Sequence, residues 1–233
     1  MSTYNISDFL AEVEADITWR EAEVRSLDRL ISKETDQSTI EALRRSYIAL
    51  LYAHAEGGVK ISLAGYVRII NESGLSIEEC IPTLVAAAHS DLFRALADQS
   101  VKHDFFKNRL PDNTRLHRFA RQAEFMGKIR IIEKLPIEIN QESIVDTESN
   151  LDSIVLVKLL YQLGFSPDLV GKNFSELGFL RGLRNAIAHG EKRVPTREQC
   201  DKYNKTVFKL LPQLRDLLAK AIRQKSFKRN LAS

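Results

Sequence analysis

The sequence predicts an all-α fold, a helical bundle with a long N-terminal hairpin and a small irregular insert. Leu10, Ile17, Val24 and Ile31 recur every seven residues, with Val13 and Leu27 in a second series. That spacing lays one apolar stripe along a long amphipathic helix. After a polar turn at 35–38, Ile40, Leu43, Tyr47, Leu50 and Leu51 begin another such series, and two long helices in succession pair as an antiparallel hairpin. Nowhere does a Gly-rich phosphate loop follow a strand pattern.

Taken in order, the first helix opens near Ser7 and the second runs to Asn71, with Gly74 as its stop. Gly57 and Gly58 fall inside the second helix, where each costs about 1 kcal/mol relative to Ala, so close packing or access to a site should compensate. Ser76 and Glu79 form a capping-box pattern ahead of a helix carrying Leu84, Leu92, Phe93 and Leu96, whose start Pro82 shifts or whose axis it kinks. Residues 101–149 are the least legible. A helical stretch near Arg115 to Lys128 precedes IRIIEKLPIEIN, whose Pro136 and alternating Ile residues look extended, so that a short strand pair and a loop both stand. The acidic residues that follow, Glu138, Glu142, Asp146, Glu148 and Asp152, read as solvated surface rather than as a metal site.

Ser149 is placed to cap LDSIVLVKLLYQLG, which Gly164 ends, and a loop with Pro167 and Gly171 follows. Ser175 opens SELGFLRGLRNAIAHG; Thr196 and Gln199 form a capping box for a last helix through Leu210, Leu214, Leu217, Leu218 and Ile222. Residues 1–233 are expected to form a single domain, with an insert at about 100–148 and the motif helix and basic C-terminal helix in 175–233.

Composition narrows the function classes. A chain of 233 residues, 44% hydrophobic, can bury a sizeable core. Cys80 and Cys200 are far apart and show no metal-ligand spacing, which points to neither a disulfide framework nor zinc and fits a reducing cytoplasm. The acidic N-terminal stretch lacks the pattern of a signal peptide, and no apolar run approaches the roughly 20 residues of a membrane span. No cofactor and no membrane partner are expected. Charge is uneven: from Arg181 onward there are 14 Lys and Arg against 4 Asp and Glu, whereas the preceding residues are net negative. A basic end of this kind suits a phosphate backbone, and equally an ordinary solvated helix.

Arg181, Asn185 and His189 are four apart, which puts them on one helical stripe with Arg184 beside it and Gly190 freeing the backbone after the histidine. A histidine can move a proton near neutral pH, and guanidinium groups neutralise a phosphorane-like transition state. Taken alone, the same pattern also describes a histidine at a helix C-terminus beside surface arginines.

The string LRGLRNAIAHGE resembles the Rx4-6H motif of the HEPN superfamily, down to the polar Asn after Arg and the Gly after His. Residues 46–67, SYIALLYAHAEGGVKISLAGYV, are similar to an earlier helix of its RiboL-PSP and MAE-type branch. The resemblance implies a HEPN-like helical bundle and a homodimer that brings two motifs together. It also implies metal-independent RNA cleavage through 2′-hydroxyl attack, in toxin–antitoxin or antiviral defence settings, with a cognate antitoxin or defence-system protein as a further partner. Arg184, Asn185 and His189 match the catalytic motif; Glu56 matches the earlier acidic position and either orients the site across the helix pair or is a solvated or salt-bridged glutamate, and Arg181, on the same stripe as Asn185 and His189, is a further supporting residue. His54 is held in reserve, whereas His89, His103 and His117 are read as structural or exposed. Lys192, Arg193, Lys220 and Arg223 are the expected RNA contacts. Glu191 stands where some HEPN toxins carry a modifiable tyrosine, so control of that kind does not carry over. A catalytically silent HEPN module that binds RNA or a partner protein is the alternative, and a purely structural helical adaptor is a third reading.

Overall fold

The computed structural model describes residues 4–169 and 174–229; Gly171, expected in a loop, lies outside them. Among the described residues there are nine α-helices and no strand. Helix α1 (Ile6–Lys33) and helix α2 (Gln37–Asn71) form the expected hairpin. Asn5 opens α1 with a capping box to Asp8, and Asp36 caps α2 through Thr39 N. Both satisfy backbone donors that the first turn of a helix leaves unpaired.

Helix α2 is the axis of the molecule. It packs on α1, on α8 (Glu176–Ala188) and on α9 (Arg197–Gln224), and so buries residues around much of its circumference, from Tyr47 through Leu51, Ala55 and Val59 to Ile70. The two mid-helix glycines are explained by this crowding. A Cβ on Gly57 would stand 2.8 Å from the Arg20 guanidinium of α1, and one on Gly58 would stand 2.7 Å from a Leu211 methyl of α9. They permit close approach to α1 and α9, rather than beside the α8 motif.

The α1–α2 seam is polar at one point. Asp16 accepts from Arg20 Nε at 2.7 Å and from Trp19 Nε1 at 3.0 Å, and Arg20 Nη1 lies 3.1 Å from His54 Nδ1. Asp16, Arg20 and His54 are all buried. His54 therefore belongs to the α1 contact and is turned from Glu56. Burial, then the Arg20 charge, holds it below the ordinary histidine value, while Glu23 and Asp16 oppose the shift.

Several local expectations are corrected. The segment after Pro82 is two short helices, α3 (Pro82–Ala88) and α4 (Ser90–Ala97), broken at His89. Helix α5 (Thr114–Ile132) runs on through IRII, because Ile129 and Ile132 continue its partly covered face. The chain turns extended only near Pro136, where Ile137 and Ile139 are buried. Ile77 N donates to Leu135 O and Ile137 N to Leu75 O, and these bonds fasten the insert without forming a strand pair. The short helix α6 (Gln141–Ile144) follows, and helix α7 (Ser153–Gln162) is capped by Asp152, not Ser149.

Burial pushes the Cys200 thiol up to about 11 and raises that of Cys80, which disfavours the thiolate that nucleophilic chemistry needs. Among the described residues no helix is long and apolar enough to cross a membrane, and no group of three His, Cys, Asp or Glu is placed to hold a metal ion.

Candidate active site

Helix α8 ends in a Schellman motif at the sequence motif itself. Gly190 N donates to Ile187 O at 3.1 Å and Glu191 N to Ala186 O at 2.9 Å, with Gly190 at φ 80°. These two bonds satisfy carbonyls of the last turn, and the left-handed residue they need is most easily glycine. The result places His189 in the C-cap position, exposed.

His189 and Asn185 line an open groove of about 490 Å³ with Gly178, Phe179, Gly182 and Arg193, floored by Gln199 and Tyr203 of α9. Nothing lies within 4 Å of where a Cβ would stand on Gly178 or Gly182, and Phe179 is 64% exposed. This side of α8 is open to another chain or a ligand.

Arg184 lies on a different side of α8. Five residues along an α-helix turn a side chain through about 140° beyond a full turn, and Arg184 faces α2. Its guanidinium carbon stands 4.0 Å from the centre of the Tyr52 ring, Nη2 donates to Ser149 O at 2.9 Å, and the same nitrogen is 4.0 Å from Glu56 Oε2. Glu56 in turn accepts from the buried Thr147 hydroxyl and lies 3.4 Å from Lys60 Nζ. Burial, then the Glu56 charge, raises the Tyr52 hydroxyl, and Arg184 offsets part of this.

The turn behind Arg184 is conformationally costly. Asn150 N donates to Thr147 O at 2.9 Å, and both central residues, Glu148 and Ser149, sit at φ 54°. Neither is glycine, so each resists a left-handed backbone that the surrounding contacts enforce. Those contacts include Lys158 on Glu148, and Tyr52 and Arg184 on the Ser149 carbonyl.

Arg181 is paired with Asp152, whose other carboxylate oxygen accepts from Val155 N at 2.8 Å as the cap of α7. Asp152 is buried, and Glu148 is paired, so these two members of the acidic run are structural rather than merely solvated. Lys192 and Arg193 are exposed beside the groove, with Arg193 Nε 3.4 Å from Glu191. Lys220 and Arg223 are exposed too, but they lie roughly 30 Å along α9 from Gln199 and Tyr203 at a rise of about 1.5 Å per residue. Tyr52, Thr147, Ser149 and Asp152 are site residues that periodicity and motif spacing do not mark. The one available signal was that Tyr52 is four residues before Glu56, on the same face of α2.

A helical bundle that ends one helix on Arg, Asn and His, with a carboxylate from the central helix behind the Arg, defines a HEPN-type module. The chain belongs to the MAE-like HEPN family, whose family model matches residues 9–227. That membership puts it among nuclease and RNA-binding modules in general. No curated protein and no solved structure matches the chain.

Proposed function

We propose that this chain is an endoribonuclease of HEPN type that cuts RNA by 2′-hydroxyl attack without a metal ion, works as a homodimer in the cytoplasm, and serves toxin–antitoxin or antiviral defence. The observation that carries the reading is the end of α8: an exposed His189 beside Asn185 and Arg193 in an open groove, with Arg184 fixed behind it by Ser149 and Glu56. In the proposed reaction one His189 takes the 2′-hydroxyl proton, O2′ bonds to phosphorus, and the 5′-oxygen leaves with a proton from the second chain's His189. Arginine charge stabilises the phosphorane oxygens, and Asn185 hydrogen-bonds the phosphate. The apolar, glycine-lined side of α8 supports pairing of two chains there, since Gly178 and Gly182 let a second helix approach closely. We take residues 1–233 as one domain in this scheme.

A silent RNA- or protein-binding module is the second reading. It is favoured by one observation: the Arg184 guanidinium is already engaged by a carbonyl and an aromatic face. Total RNA incubated with purified protein in EDTA separates the two. Cleavage by the parent, lost in folded His189→Ala and Arg184→Ala and leaving 2′,3′-cyclic phosphate ends, supports the nuclease. Absence of cleavage across several RNAs, after any copurifying inhibitor is removed, supports the silent module.

A further inference from the structure

From the arrangement of helix α5 we infer that its outer face is a docking platform for single-stranded RNA, separate from the α8 groove; the inference rests on RNA being the ligand of this chain. Arg115, Phe119, Gln122, Met126 and Arg130 follow at i, i+4, i+7, i+11 and i+15, so at about 100° per residue they form a single stripe along the helix. Arg118 borders it. All six are exposed, Phe119 at 68% and Met126 at 60%. Between Arg115 and Arg130 the one acid is Glu124, which points the opposite way and pairs with Lys128 and His103.

Several other basic groups of the insert are occupied, and Arg109 lies over the Phe105 ring. Lys107 pairs with Asp104 and Lys134 with Glu78, while Arg121 spends its guanidinium on the Ala95 and Asp98 carbonyls. Among the described residues Arg115, Arg118 and Arg130 pair with no acid. The platform is also fixed in place. Buried His117 accepts from His103 N at 3.0 Å and lies 3.0 Å from Leu110 O, tying the preceding loop to α5.

Unpaired guanidinium groups at a spacing that can follow a phosphate backbone, alternating with an exposed ring, are what sequence-tolerant single-strand binding uses: charge neutralises phosphate and the ring stacks on a base. A second copy of the same face is disfavoured, because it would oppose arginine to arginine.

The test uses the full chain carrying His189→Ala and a fluorescent 20-nucleotide single-stranded RNA, read by anisotropy over a salt series. Arg115→Glu with Arg130→Glu should weaken binding tenfold or more and flatten the salt dependence, by roughly 0.7 for each phosphate left without its arginine. Phe119→Ala should weaken binding severalfold with the salt slope kept, and Lys33→Glu, on exposed α1, should change nothing. Circular dichroism confirms folding of each. If the chain with His189 intact cleaves RNA while the α5 variants bind as the His189→Ala chain does, the platform is wrong and the nuclease reading stands. If the variants instead change the molar mass in light scattering with RNA affinity unchanged, the face is a protein contact and the inference is overturned. A parent that neither binds nor cleaves RNA overturns both.

Discussion

Arg184 Nη2 donates to the carbonyl of Ser149 at 2.9 Å, and Ser149 offers that carbonyl from a left-handed backbone at φ 54°. Glycine adopts this conformation without the steric cost that a side chain brings. Ser149→Gly should therefore fold with equal stability or up to about 1 kcal/mol more, and should keep Arg184 in place. Ser149→Val, β-branched at positive φ, should lose roughly 1–3 kcal/mol and reduce RNA cleavage. Urea denaturation and cleavage rates measured on the same preparations check both outcomes.

Glu56 sits between Arg184 and the Thr147 hydroxyl. Glu56→Gln preserves shape and can still accept from Thr147, so its stability should change by less than about 1 kcal/mol, whereas Glu56→Ala leaves a buried hydroxyl unpaired and should cost about 1–3 kcal/mol. For a residue that positions Arg184 rather than touching RNA, kcat should fall severalfold in Glu56→Gln while KM moves little. A rise in KM alone would mean that Glu56 acts through RNA binding.

Asp152 has two separable duties, the α7 cap and the Arg181 partner. Asparagine caps as well as aspartate does, so Asp152→Asn isolates the loss of charge. Asp152→Ala removes both and should cost the larger amount, about 2–3 kcal/mol, with the extra step near the ~1 kcal/mol typical of a cap. Equal losses in the two variants would assign the whole effect to the ion pair.

The only tryptophan, Trp19, packs edge-on against His54 with ring centres 5.2 Å apart, and its indole donates to Asp16. Because His54 is held below the ordinary histidine value, the unfolded chain takes up the proton first as pH falls. Stability contributed by neutral His54 is complete above about 6.5 and is lost as pH drops below it. His89, lowered by burial, acts in the same direction. The urea midpoint should therefore be lower at pH 5 than at pH 7.5, with Trp19 emission following the change, and His54→Gln should remove much of that slope.

The fold was legible where periodicity was long. Leu10, Ile17, Val24 and Ile31 pointed to α1 because that helix has one partnered stripe, the series from Ile40 marked the start of α2 although its later turns are buried on several sides, and Thr196 with Gln199 placed α9 because the capping box acts locally. The turn at 147–150 was illegible, since Glu148 and Ser149 are not left-handed residues by type and only Tyr52, Arg184 and Lys158 hold them there. Arg184, Asn185 and His189 were found as a string, but a string does not say that Arg184 turns to α2 while Asn185 and His189 open outward. The basic character of α5 was hidden for a different reason: the acidic residues spread over the rest of the first 180 outweigh it in a count over that stretch.

The single His189 that each chain presents at the open end of α8 has a consequence for dosage. Under the proposed pairing, each chain carries half of a functional centre, and turnover requires two molecules to meet. Activity would then grow with the square of abundance at low copy number, so that a burst of expression raises it far more than in proportion.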